Sequence, residues 1–469
     1  MKQALKKAAV AAACAGGLVV TMQAEAANWL MLQGAEPPST AGRAKVWGFI
    51  QPEYQQTSGT EIAAGPWKGQ RPIFNSMRPD LKARKGFNTI RARVGVRGVG
   101  MPIDPKVNYF FLAEFGNNGI TRQGGGSVKL TDASVTLNHI PGARVRVGTF
   151  KTPGSEEGLQ AIHVFDYINF TGAVNGLLLE RFFNGDGSGT YVKPAAGPGT
   201  AADSGDPNLP NGPVSAFRDT GIQVFETFKN SGWEHSYAVM VGNGNGIARG
   251  ENDGTRELYL YWASEQVYGG RGPRRQGWKM FAWKQSGKRI LTTEGEGQYD
   301  RERAGLGTTY RKGKHRAAFE YITAKGMIFN GTDGGAVAGS LSNLPAGAAG
   351  KFNGNDDVGG DGQVVASFNV ETKGEADGYY LHYGFAPNQR WEFDLRYDVY
   401  NRMTDVAAKE RRFKTWTLGM QYFFNRKSRV IVNYEIRDAE APNLPAANNA
   451  NKILGGMDNR LAAQLLIIF

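Results

Sequence analysis

The chain has 469 residues, 64 of them Gly, one Cys, and a formal net charge of +12. A single cysteine excludes a disulfide framework and a thiolate metal site. No stretch past the N-terminal region approaches the roughly 18 consecutive apolar residues that span a membrane as a helix.

The opening "MKQALKKAAVAAACAGGLVVTMQAEAANW" sets Lys2, Lys6 and Lys7 before an apolar run from Ala8 to Val20, then Ala24-Glu25-Ala26. A basic start, a short apolar core and a small-x-small site read as a secretory signal peptide over 1–26. Its removal takes away Cys14, three Lys and one Glu, so the net charge goes from +12 to +10. A lipoprotein anchor at Cys14 competes with this reading, although the following "AGGLVV" is still the hydrophobic core of a signal. Residues 27–43 are expected to form an N-terminal periplasmic segment. An exported protein of this kind is either soluble or an outer-membrane barrel, and composition alone does not separate the two. A barrel shows lipid only every second residue, so a polar chain suits it.

Short alternating segments follow. "NTIRARVGVRG" sets Ile90, Ala92, Val94 and Val96 against Arg91, Arg93 and Arg97, and "ARVRVGTF" sets Val145 and Val147 against Arg144 and Arg146. In "RWEFDLRYDVY", Trp391, Phe393, Leu395, Tyr397 and Val399 oppose Arg390, Glu392, Asp394, Arg396 and Asp398. Period two reads as strand with one apolar face. Strands are expected near 44–53, 87–98, 107–115, 128–138, 143–150, 219–228, 234–241, 256–264, 276–284, 301–310, 315–323, 378–385, 390–400, 411–424, 429–437 and 459–469. Charged groups alternate with aromatics along these strands. Trp391, Tyr400, Trp416 and Tyr422 fall near strand ends, as aromatic belts at two membrane interfaces require. A soluble all-β domain is the alternative.

Sixteen strands with both ends on one side need short turns alternating with longer loops. The short set includes "HIPG" (139–142), "RKGK" (311–314), "APNQ" (386–389) and "NRKS" (425–428); the long set includes 54–86, 151–218, 324–377 and 438–458. Residues 265–275 are long for a turn. Segment 363–372 alternates too and is assigned to a large loop, since a seventeenth strand breaks the parity. The terminal "DNRLAAQLLIIF" has Leu461, Ala463, Leu465, Ile467 and Phe469 on one face, which reads as a closing lipid-facing strand and a signal for barrel-assembly machinery.

"KLTDASVTLNHIPGARVRVGTFKTPGSEEG" (129–158), "FRDTGIQVFETF" (217–228), "YAVMVGNGNG" (237–246), "ADGYYLHYGFAPNQRWEFDLRYDVY" (376–400) and "TLGMQYFFNRKSRVIVNYE" (417–435) resemble, in this order, phosphate-selective porins of the O/P type. The resemblance covers about Phe87 to Phe469. It implies an all-β, transmembrane antiparallel barrel of sixteen strands over 44–469 in the bacterial outer membrane. It also implies a homotrimer, and a third loop, 151–218, folded into the lumen as a pore constriction lined by basic residues.

Inward arginines carry the physical case for anion selectivity, because cationic rings or ladders lower the barrier for anions. If the apolar faces meet lipid, Arg91, Arg93, Arg97, Arg144 and Arg146 point inward, since an Arg at the bilayer midplane costs about 2–4 kcal/mol. Lys151 matches the family motif, and Arg181 and Arg218 lie within or at the end of the third loop. The competing reading is that inward Arg pairs with inward carboxylates and merely solvates the wall. Arg390, Glu392, Asp394, Arg396, Asp398, Glu435 and Arg437 are mixed in sign and read that way. Glu114 and Asp132 are near enough to serve the early ladder.

"NGDGSG" (184–189), "DSGDPN" (203–208) and "NGNDDVGGDG" (353–362) resemble calcium loops without the full spacing. His139, His163, His235, His315 and His382 show no metal-ligand spacing. The expectation is passive diffusion of small anions, phosphate-like oxyanions foremost, with no turnover chemistry, cofactor or nucleic-acid partner. The alternatives are a barrel that sheaths another component, such as an electron-transfer protein, or an outer-membrane enzyme or adhesin.

Overall fold

The computed structural model describes residues 28–32, 42–65, 68–69, 84–100, 104–118, 121, 128–179, 215–247, 251, 254–270, 272, 274–291, 297–329 and 370–469. The expected signal peptide, Arg181 and the three calcium-like segments lie outside them.

In chain order the strands are β1 (Lys45–Thr57), β2 (Arg84–Val99), β3 (Val107–Glu114), β4 (Lys129–Leu137), β5 (Arg144–Lys151), β6 (Arg218–Asn230), β7 (Trp233–Gly242), β8 (Glu257–Gly269) and β9 (Gln276–Leu291). They continue as β10 (Gly297–Lys312), β11 (His315–Lys325), β12 (Ile328–Phe329), β13 (Val370–Glu371), β14 (Glu375–Phe385), β15 (Trp391–Arg402), β16 (Arg411–Asn425), β17 (Ser428–Glu440) and β18 (Arg460–Ile468). All but β12 and β13 form one closed antiparallel barrel of sixteen strands, each paired with its neighbour in sequence, and β1 closes on β18. Each expected strand is present.

Closure satisfies every edge, which hydrocarbon demands. The last residue takes part: Gly48 N–H donates to the Phe469 carbonyl at 3.1 Å, and Phe469 N–H donates back at 3.0 Å. Gly48 has to be glycine, because a Cβ there would stand 2.5 Å from the Phe469 ring and 2.4 Å from the Arg93 carbonyl.

The period-two reading of the faces holds. Phe393, Leu395, Trp416, Leu418 and Ile436 are exposed on the outer wall, while Glu392, Asp394, Arg396 and Asp398 are buried on the inner one. Aromatics gather at the short-turn end: Trp233 lies 5.8 Å from Trp278, and Trp391 lies 4.7 Å from Tyr422. Toward the long-loop end the outer wall turns charged. Lys284 faces Glu302 at 3.6 Å and Lys414 binds Glu440 at 2.7 Å, which marks where lipid gives way to water. Tyr400, expected in a belt, faces inward and is buried, stacked on Phe413 at 5.8 Å.

Two connections differ from expectation. β8 runs on to Gly269, so the awkward segment 265–275 reduces to a turn over 270–275. Of the alternating segment 363–372, Val370–Glu371 pairs with Ile328–Phe329 in a separate two-stranded ribbon outside the barrel sheet, and 363–369 lie outside the described residues.

The packed core sits in the lumen. The third loop supplies Leu159, Ala173, Val174, Leu177 and Leu178, and the wall supplies Tyr261, Phe281, Trp283, Tyr400 and Phe413. Inward apolar residues of the closing strands receive this loop: Ile168 packs on Ile431 and Ala462.

Candidate functional site: the third loop and the basic wall

The described part of the third loop, 152–179, holds two short helices, α2 (Glu156–Leu159) and α3 (Gly172–Leu177), preceded in the chain by α1 (Trp29–Leu32). Too short to be stable alone, they are held by the wall. Ser155 Oγ donates to Glu320 at 3.0 Å, and Trp283 Nε1 and Tyr380 Oη donate to the same carboxylate at 2.8 and 3.0 Å. Ile168 N–H donates to Asn433 at 2.8 Å and Gly172 N–H to Asp398 at 2.8 Å. Gly378 of β14 leaves room for α3, since a Cβ there would meet that of Ala173 at 2.5 Å.

The loop spends its carboxylates on the late strands. Glu156 binds Lys279 at 2.5 Å, Glu157 binds Arg396 at 3.0 Å, and Asp166 binds Arg316 at 2.8 Å as well as Arg274. Burial disfavours the Asp166 anion, yet Arg274 and Arg316 hold its carboxyl well below the usual range. For Glu157 burial outweighs Arg396 and pushes the carboxyl up. His163 is half-buried against β1, its ring 5.0 Å from Phe49 and 5.7 Å from Trp47. Burial, then the nearby Arg429, lowers its imidazole to about 3.

Seven of the eight candidate cations line the wall from β2 to β6, in two tiers. Nearest the short turns, Arg97 donates to the Leu32 carbonyl at 2.9 Å, and Arg144 binds both oxygens of Glu226 at 3.1 Å. Arg146 belongs to this tier: its Nε reaches Thr136 at 3.3 Å and its guanidinium lies over Phe225 at 4.3 Å, with neither terminal nitrogen hydrogen-bonded. Higher up, Arg91, Arg93, Lys151 and Arg218 lie within electrostatic reach of one another. Arg93 binds Glu114 at 2.8 Å and Arg218 binds Asp132 at 2.9 Å. Arg91 donates to the Gln51 amide at 3.3 Å. The Lys151 ammonium donates to the carbonyls of Gly158 and Gln160, at 2.8 and 2.5 Å, which closes the C-terminal end of α2.

Among the described residues Arg91, Arg146 and Lys151 make no direct ion pair, although Glu53 and Glu114 act on Arg91, and Asp132 on Arg146 and Lys151, at longer range. Glu114 and Asp132 serve the ladder as anticipated. Glu226, Asp166 and Glu157 were missed as partners, although the acidic pair in "GSEEG" was a usable signal. On the late wall Arg316 and Arg429 were not among the candidates. Arg316 binds Glu392 and Asp394, and Arg429 donates to the carbonyl of Phe165 at 2.6 Å.

Residues 28–32, expected in the periplasm, instead fold into the lumen. Trp29, Leu30 and Met31 are buried, and Trp29 Nε1 donates to Glu156 at 3.1 Å.

No family model matches the chain, and no curated protein matches it in sequence. Solved structures do. The outer membrane channel DcaP of Acinetobacter baumannii aligns over 93% of this chain and 99% of its own, at 12% identity and a TM-score of 0.50. The fold is that of an outer-membrane porin. OmpF of Salmonella typhi, solved in complex with daunomycin, aligns over 91% of this chain and 97% of its own, also at 12% identity and a TM-score of 0.50. At such identity the likeness speaks for the barrel architecture alone.

Proposed function

We propose that the protein is an outer-membrane porin of the phosphate-selective O/P type, passing small anions, phosphate-like oxyanions foremost, by passive diffusion. The observation that carries this reading is the surplus of cations on the β2–β6 wall. Arg91, Arg146 and Lys151 make no direct ion pair among the described residues. The loop's carboxylates, Glu156, Glu157 and Asp166, are engaged on the opposite side. The β2–β6 wall thus carries cations that no direct ion pair neutralises, which favours an anion along it. Guanidinium forks suit oxyanions because two donors meet two oxygens at once. The net charge of +10 that remains after removal of 1–26, against +12 for the whole chain, supports the same sign of solute.

The proposal includes export by the 1–26 signal, insertion through the C-terminal strand and homotrimeric assembly. A sheath around another protein is disfavoured, because residues 28–32 and the third loop occupy the lumen such a guest requires. Single-channel recording in planar bilayers under a salt gradient tests the reading. Anion preference, with conductance altered by phosphate, is expected; cation preference insensitive to phosphate overturns it.

A further inference from the structure

Residues 28–32 stand where a solute passes. Asn28 Nδ2 lies 2.7 Å from Ser236 Oγ, 3.0 Å from Thr227 Oγ1 and 3.4 Å from Glu234 Oε1, all on β6 and β7 beside the 231–232 turn. Its Oδ1 accepts from Met31 N–H at 3.0 Å, the capping bond that makes asparagine a good start for a helical turn. At the other end the Leu32 carbonyl accepts from Arg97, on β2 near the 100–106 turn. The segment therefore reaches from the β6–β7 wall to the β2 wall at the short-turn end of the barrel. Between these anchors Trp29 is 8% exposed, Leu30 3% and Met31 5%.

Asn28 and Trp29 also line a cavity of about 110 Å³ that Arg274, Lys279, Arg311 and Glu156 share. The Arg311 guanidinium faces this space with the Arg274 carbonyl, at 3.2 Å, as its described hydrogen-bond partner. Removing the segment joins that cavity to the volume the segment fills.

What holds the segment differs in kind from what holds the third loop. The loop is tied by buried ion pairs through Glu156, Glu157 and Asp166. Residues 28–32, Asn-Trp-Leu-Met-Leu, carry no charge, and no strand incorporates them. Hydrogen bonds and apolar contact alone keep them in place, and water or a solute can replace such contacts far more readily than a buried ion pair.

We infer that residues 28–32 are an internal plug in the short-turn half of the lumen, and that their withdrawal widens the conducting path. This inference rests on the channel reading.

The test is single-channel recording of the full-length protein in planar bilayers. Three forms are compared: wild type, Asn28→Ala/Trp29→Ala, and Asn28→Cys/Ser236→Cys in a Cys14→Ala background, the last with its thiols bridged by a short disulfide-containing cross-linker or freed from it by reduction. Heat-modifiable migration confirms that each barrel is folded. The plug predicts a larger unitary conductance for the alanine variant. It also predicts a conductance of the cysteine pair that is low when bridged and rises when the bridge is broken. Equal, non-zero conductance in all forms overturns the plug and leaves the channel intact. Silence in every folded form overturns both.

Discussion

Replacing Arg146 by Gln isolates the surplus charge on the basic wall. Its terminal guanidinium nitrogens have no hydrogen-bond partner, and its Nε reaches only Thr136 at 3.3 Å. The substitution therefore strands no carboxylate. It loses one weak hydrogen bond and the contact with Phe225, a stability cost of about 1 kcal/mol. The guanidinium is fully buried, so a passing ion meets its field across intervening side chains rather than by contact. A unit charge about 8 Å from the ion is worth about 0.5 kcal/mol in water, and more in a confined lumen. Deleting it raises the anion's barrier and lowers the cation's, so the contrast changes by about 1 kcal/mol. That corresponds to a fall of about fivefold in anion-over-cation permeability at low salt, shrinking as ions screen over about 10 Å at 0.1 M. The assay is the reversal potential of purified protein in bilayers under a salt gradient. Lys284→Gln, on the outer wall, is the control and leaves the potential unchanged. A folded Arg146→Gln barrel with a wild-type reversal potential at low salt would refute the assignment and return Arg146 to the wall's structure.

Two further expectations concern the third loop. Arg396→Met leaves Glu157 and Asp398 buried without their guanidinium, and losing one partner of a buried pair costs about 3–5 kcal/mol; amide exchange over 155–172 should accelerate, and unchanged protection contradicts the anchoring role. His163 is neutral in folded and unfolded chains above its ordinary value near 6.5, but in the folded loop it stays neutral down to about 3. The unfolded chain therefore takes up the proton first, and the loop loses stability as pH falls through this window, by about 2 kcal/mol at pH 5. Protease accessibility of the loop at pH 7 and pH 5 reads this out; His163→Phe should flatten the dependence, and an equal response in both proteins contradicts it.

Much of the wall was legible before folding. Arg91, Arg93, Arg144 and Arg146 had to point inward once the alternate residues were apolar, and they do. The end of β8 was misread because the outward Ser264 and Gln266 are polar and the inward Val267 is apolar, which breaks the alternation near the water interface. Beyond Glu114 and Asp132, pairing was not legible. Glu226 lies 82 positions from Arg144 and Glu157 lies 239 positions from Arg396, and nothing local distinguishes those acids from others. Lys151 was read as a pore cation, yet its ammonium is engaged by the backbone carbonyls of α2, a role visible only once the loop turns back on the strand that precedes it.

By itself the sequence determined the barrel: sixteen strands, their facing and the closing role of Phe469 all follow from a side-chain period of two and from turn residues at the breaks. What fills the barrel was decided by tertiary structure alone. The described part of the third loop and residues 28–32 have little secondary structure of their own, so their positions depend on complementary groups presented by strands far away in the chain. Glu320, Asn433, Asp398 and Ser236 become partners only after closure brings the wall around them.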